Sequence, residues 1–150
     1  MPMETLDQLL KDYHLDLKTM IVFRKAERTI RSVEYRVIKE NNLTPTQFSA
    51  LETLYSKGEM RIQELINRML ATSGNMTVVI KNMVRDGLIF RNGDPTDRRS
   101  SLINLTPKGR DLVEKILPQH ILCVREALAV LSDAEKETLI TILKNFKNLG

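Results

Sequence analysis

The sequence predicts a mostly α fold of the α+β class, with one β-hairpin set among helices, and three observations carry that prediction. Apolar residues recur at helical spacing through most of the 150 residues. Glycine and proline number only six and five, so the connections are short. One segment departs from the pattern: Leu88-Ile89-Phe90 and Leu102-Ile103 with Leu105 flank a charged stretch, which reads as two strands and a turn.

The elements follow in order. The first 40 residues read as one long helix or two in tandem, with Leu6, Leu9, Leu10 and Tyr13, then Met20, Phe23, Ala26 and Ile30, then Val33, Val37 and Ile38 at helical spacing. Asn41-Asn42 breaks it. Thr44 then caps a new helix, with Pro45 at its first position and Gln47 as capping-box partner. Phe48, Leu51, Leu54 and Tyr55 form its inner face, and Lys57-Gly58 ends it. A short helix from Arg61 to Leu70 shows Ile62, Leu65, Ile66 and Met69 on one side. Ala71-Thr72-Ser73-Gly74 is a turn in which Thr72 or Ser73 can cap the next helix, expected from about Ser73 to Asp86 with Met76, Val79, Ile80 and Met83 inward. Gly87 stops that helix where a left-handed residue is favoured.

Two short helices joined by a tight turn and followed by a strand form a helix-turn-helix leading into a wing. The wing tip is expected to be charged rather than tight, carrying Arg98 and Arg99. Thr106 caps and Pro107 opens a helix over residues 107–130, which Pro118 should kink or interrupt. Ser132 and Glu135 form a capping box for the last helix, with Leu139, Ile142, Leu143 and Phe146 on its stripe. Both terminal regions are more apolar than a small winged head can cover, so they are expected to pack against a second copy of the chain.

Charge is divided unevenly. Residues 57–110 hold ten Lys/Arg against five Asp/Glu, while the remainder holds 13 against 14. The positive excess thus lies on the helix-turn-helix and wing, as a nucleic-acid footprint requires. No apolar run approaches the about 20 residues that span a bilayer. Glu4, Asp7 and Asp12 do not make the basic region of a signal peptide, and one cysteine fits the cytosol. The expected location is cytoplasmic, with no membrane partner. Catalysis finds no motif: there is no Gly-rich phosphate loop, and Ser100 and Ser101 have no histidine nearby.

Leu43-Thr44-Pro45 with Phe48 and Leu51, then Ser73-Gly74 through Gly87-Leu88-Ile89, then Asp97-Arg98-Arg99 followed by Leu105-Thr106-Pro107-Lys108-Gly109, resemble the MarR family of bacterial and archaeal regulators. The resemblance runs over roughly residues 15–149. It implies a single domain over 1–150: a DNA-binding head at about 44–106, and dimerisation helices at about 1–40 and 107–150. It further implies a homodimer that binds a palindromic site in double-stranded DNA, most members being repressors. Release would follow a small phenolic, quinone-like or lipophilic effector, an oxidant or a metal. The family's effectors bind between head and dimerisation helices, where Phe23, Tyr35, Phe48 and Tyr55 are candidate lining residues, each also explicable as core.

The second helix of the motif is expected to present Ser73, Asn75, Thr77, Val78 and Lys81 to DNA. Asn75 and Thr77, near its start, are placed to read base edges, while Thr72, Ser73 and Lys81 hold phosphates. Arg61 can touch the backbone or simply lie on an exposed face. The resemblance makes Arg99 the minor-groove arginine, with Asp97 orienting it by an ion pair and Arg98 beside it as a second cation. Cys123 reads as a small buried hydrophobe rather than a redox sensor. A metal site from His14, His120 and Cys123 lacks a tight motif, so no cofactor or metal is expected. The competing function is a helical protein-interaction module that keeps the winged head without specific DNA binding.

Overall fold

A computed structural model describes residues 2–70 and 72–146. Among these the elements are α1 (Leu6–Asp12), α2 (His14–Glu34), α3 (Arg36–Glu40), α4 (Pro45–Lys57), β1 (Met60–Arg61), α5 (Ile62–Arg68), α6 (Met76–Arg85), β2 (Ile89–Asp94), β3 (Asp97–Leu105), α7 (Pro107–Ala127) and α8 (Asp133–Leu143). Ala71 of the expected turn, and residues 1 and 147–150 of the expected terminal regions, lie outside the described residues. The chain divides into two compact units, residues 35–123 and the described parts of 1–34 and 124–150.

In the unit of residues 35–123, local chemistry sets the helix ends. Asn42 takes a left-handed φ of 59° and separates α3 from α4. The Thr44 hydroxyl accepts from the Gln47 amide at 3.1 Å, and the Gln47 side chain accepts from the Thr44 amide at 3.0 Å. This reciprocal cap satisfies two helix-end donors, and Pro45 follows where its missing N–H costs nothing. Gly58, at φ 83°, turns the chain out of α4.

The two-stranded wing of β2 and β3 is present, but β3 has a second neighbour. β1 pairs with it antiparallel, Met60 against Ile103 and Arg61 against Leu102, giving the sheet order β1-β3-β2. Arg61 therefore stands on a strand edge as well as at the start of α5. The hairpin is also tighter than expected. Ladder pairing runs from Ile89↔Leu105 to Gly93↔Ser101, slips at a bulge, and resumes at Asp94↔Asp97, leaving Pro95-Thr96 as the turn. Arg98 and Arg99 consequently lie within β3 and not in a loop.

The core forms where α4, α5, α6, α7 and the sheet supply apolar faces. Leu51, Leu54, Leu65, Ile80, Met83 and Val113 are buried in one cluster with Ile89, Ile103 and Leu105. Each fully buried side chain of this size contributes roughly 1.5–3 kcal/mol relative to exposure. A smaller cluster gathers Val37, Ile38, Phe48, Ile116 and Cys123. α7 runs through Pro118 as one helix, so of the expected kink or interruption the interruption does not occur. Val113 and Ile116 before the proline and His120 and Cys123 after it are all buried, and this burial holds both halves in register.

The other unit is helical. Its N-terminal helices are separate: the chain leaves helical geometry at Tyr13 and again at Tyr35, the junction with the first unit. The apolar periodicity is continuous across both points, so it does not reveal them. Ser132 and Glu135 form the anticipated capping box on α8. No residue of α1, α2 or α8 is buried. Leu10, Met20, Val22, Phe23, Ile140 and Ile142 all remain exposed.

Candidate nucleic-acid interface

α6 is held so that one face is sealed and the other open. Met76, Ile80 and Met83 are buried, while Thr77, Val78 and Lys81 are exposed. Its start differs from the expectation that Thr72 or Ser73 caps it. Asn75 is the N-cap, its Oδ1 accepting from the Val78 amide at 3.2 Å. Two residues, Gly74 and Asn75, separate Ser73 from the first helical residue, too far for its hydroxyl to serve the first-turn amides. Thr72 and Ser73 instead stand exposed in the connection, and the Ser73 hydroxyl lies 3.9 Å from the Met76 sulfur. The near end of this connection is pinned by Ser49, whose buried hydroxyl accepts from the Leu70 amide at 2.9 Å.

The wing is braced by a carboxylate that sequence reasoning passed over. Asp94 is buried. Its Oδ1 accepts from the Thr96 amide at 2.9 Å and the Thr96 hydroxyl at 2.7 Å, and its Oδ2 accepts from Arg61 Nε at 2.7 Å. A second guanidinium nitrogen of Arg61 donates to the Thr96 hydroxyl at 3.2 Å. Those bonds hold the Asp94 carboxyl at about 2, the Thr96 hydroxyl contributing most. Asp94 and Thr96 are sequence neighbours, but Arg61 is 33 residues away, a partnership that no local pattern reveals.

Asp97 does not act as expected. Its Oδ1 accepts from the backbone amide of Arg99 at 2.9 Å and its Oδ2 from the Ser100 hydroxyl at 3.2 Å. No ion pair joins it to the Arg99 guanidinium among the described residues. Asp97 therefore fixes the main chain that carries Arg99, because an aspartate readily hydrogen-bonds the backbone two residues on. Arg98 and Arg99 are both exposed, and among the described residues neither guanidinium has a partner. Both lie where the register slips between Gly93↔Ser101 and Asp94↔Asp97, so the wing carries two open cations beside its tip.

Of the four candidate effector-lining residues, Tyr35, Phe48 and Tyr55 belong to the unit of residues 35–123. Phe23 is exposed on α2, in the unit of residues 1–34 and 124–150. Phe48 is buried, its ring 4.8 Å from that of His120 at 57°. Tyr35 packs at the edge of the same small cluster. Tyr55 packs on the larger one, with its hydroxyl 3.4 Å from Glu114 and the Arg110 guanidinium 5.4 Å from its ring centre. Cys123 is buried, as expected of a small hydrophobe, and Arg36 donates to its sulfur at 3.7 Å.

The combination of an open helix face and a braced cationic hairpin has clear relatives. A model of the MarR family matches residues 43–101. The uncharacterised HTH-type transcriptional regulator YkoM of Bacillus subtilis is 39% identical over 82% of this chain and 80% of its own length. The chain belongs to the MarR family of transcriptional regulators. The HTH-type regulator MhqR of the same organism is 36% identical over 85% of this chain and 88% of its own. A crystal structure of a MarR-like regulator from Bacillus cereus superposes with a TM-score of 0.80, covering 91% of this chain and 99% of that one at 23% identity. In this chain the wing is the hairpin β2–β3 and the helix-turn-helix is α5 and α6.

Proposed function

We propose that this MarR-family chain is a homodimeric repressor that binds a palindromic site in double-stranded DNA and releases it on meeting a small effector or a chemical stress. The observation that carries the DNA contact is the pair of unpartnered guanidiniums, Arg98 and Arg99, on a hairpin braced by Asp94 and in the same compact unit as the open face of α6. Arg99 enters the minor groove and Arg98 holds a neighbouring phosphate. Thr77 and Val78 meet base edges and thymine methyls in the major groove, Asn75 through the amide nitrogen its cap leaves free. Lys81, Thr72 and Ser73 hold phosphates. Arg61 is first a brace, with its outer edge available to the backbone.

The head is assigned to residues 44–106 and dimerisation to 1–40 and 107–150. The exposed apolar stripes of α1, α2 and α8 support the second assignment, since a monomer rarely leaves so much apolar surface in water. A twofold dimer reads a twofold site. The effector is a phenolic, quinone-like or lipophilic molecule, with Tyr35 and Tyr55 the nearest candidates for its contacts. The protein acts in the cytoplasm, on DNA, as a binding protein and not as an enzyme; no described helix is long and apolar enough to cross a membrane.

The test is a salt-controlled titration with a duplex that the wild-type protein selects from a random library. Affinity should fall steeply as salt rises. Arg99→Ala should lose more than about tenfold while the protein still sediments as a dimer. A wild-type chain that selects no duplex, or an Arg99→Ala variant that binds equally well, overturns the reading.

A further inference from the structure

The end of α6 and the start of α7 are joined by more bonds than either helix needs to terminate. Asp86 is the last partly helical residue of α6, and Gly87 follows at φ 74°. The Gly87 amide donates to the Val84 carbonyl at 3.0 Å and the Leu88 amide to the Met83 carbonyl at 3.0 Å. This paired return closes a helix whose next residue is left-handed, and buried Leu88 and Met83 supply its usual apolar contact. The closure leaves the carbonyls of Asp86, Gly87 and Leu88 to find donors elsewhere.

All three donors come from the first residues around α7. Lys108 Nζ donates to the Asp86 carbonyl at 2.9 Å. The Thr106 hydroxyl donates to the Gly87 carbonyl at 2.5 Å, and the Thr106 amide donates to the Leu88 carbonyl at 3.1 Å. The same hydroxyl accepts from the Gly109 amide at 3.0 Å, capping α7. Gly109 is buried, and a side chain there would drive its first carbon into the Leu88 carbonyl oxygen. Only glycine lets the two backbones approach so closely. The segment Thr106-Pro107-Lys108-Gly109 is thus shaped to the carbonyls that end α6: its side-chain bonds to Asp86 and Gly87 lie outside the β2–β3 ladder, while the Thr106 amide bond to Leu88 extends that ladder one position beyond Ile89↔Leu105.

We propose that Thr106, Lys108 and Gly109 form a clip that fixes the end of α6 to the start of α7, and that DNA affinity depends on it. This rests on the DNA-binding reading above. Lys108 and Thr106 are positioning residues: they act through the backbone of residues 86–88 and not by touching phosphate. Two cations near a nucleic-acid face look alike in sequence, but Lys108 has its ammonium committed to a carbonyl, whereas Arg99 has no such partner.

The test compares Thr106→Val, Thr106→Ser and Lys108→Met in the full chain. Hydrogen exchange of the free protein is followed in peptides covering residues 83–89. Thr106→Val should speed exchange of the Gly87 and Leu88 amides by about fivefold, the factor one net hydrogen bond is worth, and Thr106→Ser should restore it. Affinity for the duplex selected by the wild type should fall by about the same factor in Thr106→Val and Lys108→Met, with the Lys108→Met salt slope unchanged. A slope lowered by about one, without faster exchange, makes Lys108 a phosphate ligand and overturns the clip. Unchanged exchange and affinity in both variants overturn it too. If the wild type selects no duplex, the DNA reading and the affinity half fall together, and the exchange result still decides the clip.

Discussion

Arg61 Nε stands 2.7 Å from Asp94 Oδ2, and this ion pair links the two outer strands of the sheet across the central one. Asp94 has almost no exposed side chain, while half of Arg61 remains open to solvent. The carboxylate is therefore the committed member: it closes the Pro95-Thr96 turn and receives Arg61 on its other oxygen. Removing its charge should loosen the wing without unfolding the helices. Asp94→Asn is expected to raise tryptic cleavage after Arg98 and Arg99 by about fivefold, as loss of one net bond would. Helix content by circular dichroism should hold. Equal cleavage of variant and wild type would remove Asp94 as the brace.

Acid should act through the same residue. Thr96, by hydroxyl and then amide, and Arg61 after it hold the Asp94 carboxyl at about 2 against its ordinary 3.8, with burial opposing them. A carboxyl depressed in the folded state stabilises that state fully above its unfolded value, and the contribution disappears as pH falls through the folded one. The window is therefore from 3.8 down to about 2. Urea midpoints measured from pH 5 to pH 2 should fall less steeply in Asp94→Asn than in the wild type across that window. Parallel curves would show that Asp94 is not the group responsible.

Asp97 offers a sharper discrimination between two ways of placing Arg99. An ion pair with the guanidinium would need the negative charge, whereas a bond to the Arg99 amide needs only an oxygen acceptor. Asp97→Asn keeps the acceptor and removes a charge that repels phosphate, so its DNA affinity should equal or exceed that of the wild type. Asp97→Ala removes both and should weaken binding by about fivefold. Equal losses in the two variants would restore the ion-pair account.

These residues also show what a sequence reveals. Thr44 with Gln47, Ser132 with Glu135, and Gly87 were legible because each acts on backbone within a few positions. The open face of α6 was legible because burial of Met76, Ile80 and Met83 dictates its opposite. β1 was not, since two residues cannot show alternation and their pairing with Ile103 and Leu102 is set by folding. Asn75 was passed over as cap because Thr72 and Ser73 offered the same chemistry nearby. Asp94 carried no assigned role, and its partner Arg61 became visible only when the sheet brought two distant segments together.

Phe48 separates core from binding site. Its ring is buried against Val37, Ile38, Ile116 and Cys123 and lies edge-tilted on His120, an arrangement that already satisfies an aromatic side chain. Phe48→Ala should therefore cost about 3–5 kcal/mol of unfolding free energy, the range for emptying a packed aromatic site. Tyr55→Phe loses only a 3.4 Å bond to an exposed carboxylate and should leave stability nearly unchanged. If chemical denaturation instead finds Phe48→Ala nearly as stable as the wild type, the ring faces a space that can collapse or fill. Phe48 would then return as a candidate contact for the proposed effector.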